Sequence, residues 1–117
     1  MPQQIDKDTV AAFLLLLRRA DDSETFCYIA RAAPINVLKS ICNSLYNLRT
    51  KIASLPEFDG ETIKAKNSCM VIFSKKRPSL ARKVELLRDS PTFAKDLIIL
   101  LNLAYIHFGN DFDVYDD

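Results

Sequence analysis

Six cations crowd one short stretch, FSKKRPSLARKVELLRD at residues 73–89: Lys75, Lys76, Arg77, Arg82, Lys83 and Arg88, opposed only by Glu85 and Asp89. Three readings of this strip stay open. In the first, Pro78 breaks the chain and Ser79 caps the helix that follows, its hydroxyl accepting from the N–H of residue 81 or 82. Arg82, Lys83 and Arg88 would then face water while Leu80, Val84 and Leu87 face inward. In the second, Lys75, Lys76 and Arg77 join the free N–H groups at the helix start to hold phosphate or an acidic partner. The strip has no aromatic besides Phe73, so contact with DNA or RNA would run to the backbone, be salt-sensitive and ignore base sequence. In the third, KKRPS is a basophilic kinase site at Ser79, or a nuclear-import patch. A phosphate at a helix N-terminus is electrostatically favourable.

Other residue types offer little for catalysis. His107 is the single histidine, placed where a helix C-terminus favours a cation. Three cysteines, Cys27, Cys42 and Cys69, are widely spaced and form no CxxC pair. Their pattern suits small hydrophobes in a reducing compartment, and together with one histidine it supplies no zinc ligand set. Two distant glycines, Gly60 and Gly109, rule out a phosphate-cradling loop of the GxGxxG type. Asp21-Asp22 and Asp116-Asp117 fall in a turn and a tail. The expectation is a non-enzymatic chain without metal or cofactor.

The totals describe one domain of 117 residues with a formal net charge of +1. The charge is uneven. Residues 73–89 sum to +4 (six basic, two acidic), leaving −3 for the rest, and the closing GNDFDVYDD holds four aspartates. Any electrostatic case for nucleic acid is therefore local. MPQQIDKDTV lacks the basic-then-apolar order of a secretory signal. The twelve-residue run LIILLNLAYIHF, residues 97–108, is too short to span a membrane. Both features point to a cytoplasmic or nuclear protein.

Elements that would position these residues follow from apolar spacing. Val10, Phe13, Leu14 and Leu17 make a helical stripe in a first helix from about Thr9 to Arg19, capped by Asp8. Leu15 and Leu16 widen the stripe, so this helix is expected to be buried on more than one side. Asp21 with Glu24 reads as a capping box for a second helix with Phe26, Ile29, Ala30 and Ala33 inward. Pro34 suits the start of a third. Its stripe of Ile35, Leu38, Ile41, Cys42, Leu45, Leu48, Ile52 and Leu55 predicts one helix of about six turns, roughly 30 Å. A fourth helix starts near Glu61, with Ile63, Met70, Val71 and Phe73 as its apolar positions. The fifth follows Pro78. Ser90-Pro91 is a cap-plus-first-turn signal for the sixth, apolar nearly all round and stopped at Gly109. The pattern predicts an all-α bundle of about six helices around a central C-terminal helix, residues 1–117, with an acidic tail at 110–117.

The segments NVLKSICNSLYN (36–47) and SLARKVELL (79–87) resemble small helical open reading frames of adintoviruses and Polinton-like mobile elements, over residues 20–90. The resemblance implies a viral or mobile-element origin. ETIKAKNSCMVIF and RDSPTFAKDLIILL depart from the family's lysine-dense middle helix and its Gly-Gly segment. No DNA-condensing role and no functional residue is carried over. The function expected is surface recognition by a protein-interaction module that forms a homo-oligomer through the apolar excess of its first and last helices. Two alternatives remain. One is a protein binding the nucleic-acid backbone through Lys75, Lys76, Arg77, Arg82, Lys83 and Arg88. The other is a Bcl-2-like or death-fold immune or apoptosis modulator, which the length and helix number fit although no NWGR-like motif occurs.

Overall fold

Apolar spacing and capping residues together determine where the helices lie. The structure is a computed structural model that describes residues 7–57, 59–73 and 78–109. Among these, seven α-helices and one 3-10 turn follow each other without a strand. They are α1 (Lys7–Arg18), α2 (Ser23–Ala32), α3 (Ile35–Asn47), α4 (Arg49–Ala53), α5 (Gly60–Cys69), a 3-10 turn (Met70–Phe73), α6 (Leu80–Asp89) and α7 (Pro91–Phe108). The chain is an all-α bundle. The proposed acidic tail, 110–117, lies outside the described residues.

The bundle is built around α7, which packs against α1, α2, α4, α5 and α6. Its inward arc of Phe93, Ala94, Leu97, Leu100, Leu101 and Ala104 is buried, as its nearly continuous apolar run requires. Ser90 caps it, the Oγ accepting from the Phe93 N–H at 3.3 Å, and Pro91 fills the first turn. Gly109 ends it at φ 59°, a left-handed backbone that costs glycine nothing. On the opposite side α3 packs against α1, α6 and the 3-10 turn. Phe26, Leu38, Ile41, Leu45, Leu87, Leu100 and Leu101 form the driest part of the core.

Four expectations need correction. The third helix is not continuous. It breaks at Leu48 (φ −87°, ψ 0°), so α3 and α4 are separate. The Leu48 N–H is shared between the Ser44 and Leu45 carbonyls at 3.1 Å each, the tightening typical of a helix end. The Arg49 guanidinium bonds the freed Tyr46 carbonyl at 2.9 Å and stacks 3.9 Å above the Tyr46 ring. The apolar register survives because the Ile52 N–H still bonds the Leu48 carbonyl at 3.0 Å. Leu48, Ile52 and Leu55 therefore stay buried, whereas Ile35 is exposed.

The second correction concerns α5. Its inward face is Thr62, Ala65 and Cys69, continued by Ile72, while Ile63 and Met70 are exposed. The helix starts at Gly60, beside the expected Glu61, with Asp59 as its cap accepting from the Thr62 N–H at 2.8 Å. That start sets the phase, and packing along α7 selects small residues over the larger Ile63. Third, α2 is capped by Asp22, which accepts from the Thr25 N–H at 2.7 Å, rather than by Asp21. Fourth, α1 begins at Lys7, so Asp8 lies inside its first turn. Leu15 and Leu16 of α1 are 40% and 50% exposed instead of buried.

Candidate functional site

The described part of the basic strip holds Ser79 and the three cations of α6. Lys75, Lys76 and Arg77 lie outside the described residues. Ser79 is the N-cap of α6, its Oγ accepting from the Arg82 N–H at 3.2 Å. Of the three cations on α6, only Arg82 is exposed, and its guanidinium bonds Glu85 at 2.9 Å. Lys83 is buried, contrary to the expected outward face. The cause is that α6 packs on both α2 and α3, which widens its inward arc past Val84 to take in the lysine stem. Arg88 is half-buried, and its Nε has no partner among the described residues. It lines a shallow groove of about 240 Å³ with Ile35, Lys39, Val84, Glu85 and Asp89. Arg82, Lys83 and Arg88 thus meet three different surroundings, and the described part of α6 carries no contiguous basic face.

Thiol chemistry is held down by burial. Cys27, Cys42 and Cys69 are free and buried. Burial pushes Cys42 up to about 12, against a lesser opposing pull from Lys83. Burial also pushes Cys69 up to about 12, and the nearby Asp96 carboxylate adds to it. Cys27 is raised by burial as well. His107 sits exposed in the last turn of α7, edge-on to Phe108 with ring centroids 4.8 Å apart. No group of three or more His, Cys, Asp or Glu residues able to hold a metal occurs among the described residues. No described helix is long and apolar enough to cross a membrane.

Two surface features have the chemistry of docking sites. The first is a cleft of about 590 Å³ between α4 and α5, with Ile52, Ala53, Met70 and Phe73 as its apolar lining and Arg49, Glu57, Lys66 and Asn67 among its polar groups. Lys66 organises one side. Its ammonium donates to the Ala53 carbonyl at 3.2 Å and to the Leu55 carbonyl, and it lies 3.5 Å from a Glu57 carboxylate oxygen. A lysine thereby satisfies carbonyls at the end of α4 that the helix leaves unbonded.

The second is a set of exposed apolar side chains on the C-terminal halves of α1 and α7, two helices in contact. Leu15, Leu16, Tyr105 and Ile106 are exposed at 40%, 50%, 43% and 78%. The Arg18 guanidinium carbon lies 3.9 Å above the Tyr105 ring, tying the two helices together at this point. Leu15 stands one turn before Arg18 on the same side of α1.

No protein-family model, curated protein or solved structure matches this chain. The functional reading therefore rests on residues and geometry. Sequence spacing found Ser79 and the surplus of apolar residues on the first and last helices. It missed Lys66, whose partners are carbonyls that carry no sequence mark. It also missed Asp96, which sits in an apolar helix at a position with no distinctive spacing.

Proposed function

We propose that the chain is a non-enzymatic helical interaction module that self-associates through the face formed by α1 and α7. The supporting observation is the exposure of Leu15, Leu16, Tyr105 and Ile106 on two adjacent helices. Single exposed apolar side chains are ordinary, whereas a group of them on neighbouring elements marks an interaction surface. A second copy is the simplest occupant, since a two-fold contact needs only one self-complementary patch. Arg18, held over Tyr105, supplies a polar element at such an apolar centre, and Tyr and Arg are both enriched at interfaces. The experiment is a concentration series by sedimentation velocity on the native chain and on the Leu16→Glu/Ile106→Glu variant. The native chain is expected to sediment as an oligomer and the variant as a monomer.

A further inference from the structure

Asp96 is the most unusual polar residue of the fold. It lies on the second turn of the central helix, is 6% exposed, and its Oδ2 is buried with no hydrogen-bond partner among the described residues. A buried carboxylate oxygen without a partner carries a desolvation penalty that native folds rarely leave uncompensated. Asp96 also lines a groove of about 460 Å³ together with Ser68, Pro78, Arg82, Leu86, Thr92 and Phe93, and with the capping Ser90. The groove lining therefore combines one acidic residue, Asp96, with the hydroxyl residues Ser68, Ser90 and Thr92 and the apolar Pro78, Leu86 and Phe93. Arg82, the cation among the lining residues, has its guanidinium on Glu85 at 2.9 Å.

We infer that this groove is a binding site for an organic cation, an alkyl-ammonium or alkyl-guanidinium group, with the Asp96 carboxylate as its counter-ion. A methylene stem would lie along Pro78, Leu86 and Phe93, as lysine and arginine stems lie along apolar surface. The charged head would reach Asp96, the hydroxyls taking its remaining N–H groups. A divalent metal fits less well, since it needs several anionic or carbonyl oxygens and the groove offers a single carboxylate. The site does not depend on the α1–α7 face. Its ligand can be a free amine or a basic side chain of a protein, and the same head group recognises both.

The test uses amide NMR shifts of the full chain titrated with agmatine in one arm and with a short single-arginine peptide in the other. Saturable shifts at Ser68, Thr92 and Asp96 are expected in at least one arm. The Asp96→Asn variant should weaken that binding by at least about tenfold while melting no lower than the native chain, because the buried Oδ2 has no partner among the described residues to lose. Stronger binding of the peptide than of agmatine would assign the site to a protein side chain, and the reverse to a free amine. Absence of saturable shifts in both arms would overturn the proposal and leave the groove to water. So would binding that appears only after Lys75, Lys76 and Arg77 are replaced by alanine, since the chain's own cations would then be the natural partners. An Asp96→Asn variant that melts lower than the native chain and still binds would also overturn it.

Discussion

Asp22, Asp59, Ser79 and Ser90 start four helices in the same way, each side-chain oxygen accepting from the N–H three residues on. For Ser79 this means that Ser79→Ala should destabilise the fold by about 1 kcal/mol in denaturant titration, with no change in what α6 packs against. The two aspartates add a pH dependence. The N–H bonds from Thr25 and Thr62 hold their carboxyls below the ordinary value of 3.8. Their stabilising contribution is complete above the unfolded-state pKa and is lost as pH falls through the lowered folded value. Between about pH 5 and pH 2, the Asp22→Asn/Asp59→Asn variant should therefore lose less stability than the native chain. The buried thiols act at the other end of the scale. Cys42 and Cys69 are pushed up to about 12 from 9.0, so the unfolded chain ionises first. The thiols' contribution is complete below the unfolded value of 9.0 and should be lost above it at up to about 1.4 kcal/mol per pH unit for each thiol. A Cys42→Ala/Cys69→Ala variant should show a shallower alkaline loss in chemical denaturation. Serine caps beside Pro78 and Pro91 were legible in the sequence, because the proline marks the boundary. The choice between Asp21 and Asp22 was not, because adjacent aspartates satisfy the same local pattern.

At the scale of elements, the 3.6-residue period carried most of the information. It gave the buried face of α3 and α4 almost completely, with Leu38, Ile41, Cys42, Leu45, Leu48, Ile52 and Leu55 all inside. It could not show the break at Leu48, because the apolar register runs through it and the bonds that accommodate it come from Arg49 and the shared Leu48 N–H. It failed for α5, where the inward residues Thr62 and Ala65 are small or polar, and close packing on α7 outweighs hydrophobicity. It failed again for Lys83, buried because α6 is packed on two sides, a fact of tertiary arrangement that no local pattern contains. The end of α4 gives a direct test of such tertiary bonding. Lys66 joins α5 to the carbonyls of Ala53 and Leu55 and to Glu57. Lys66→Met keeps the stem and removes the ammonium. It should cost about 1–3 kcal/mol in a denaturant titration, whereas the exposed Lys64→Met should change stability by no more than about 0.5 kcal/mol.

For the whole molecule, the central position of α7 follows from its composition, and the same composition leaves a surplus. A helix this rich in apolar residues buries one side against five other helices and still presents Tyr105 and Ile106 to the outside. Leu15 and Leu16 on α1 add to that surface. The apolar excess of the first and last helices was legible as a surplus, but which residues would be left outside depended on how α1 packs against α2, α3 and α7. The three cations of the basic strip that lie on α6 are by contrast separated by the fold into a paired surface arginine, a buried lysine and a half-buried arginine. The proposed recognition surface is the apolar face of α1 and α7. Sedimentation equilibrium tests it most directly, with the native chain measured beside Leu16→Glu/Ile106→Glu after circular dichroism has shown the variant to be folded. A native chain with at least twice the monomer mass and a folded, strictly monomeric variant is the predicted result. A native chain that stays monomeric at every concentration, or a variant that associates as well as the native chain, would contradict it.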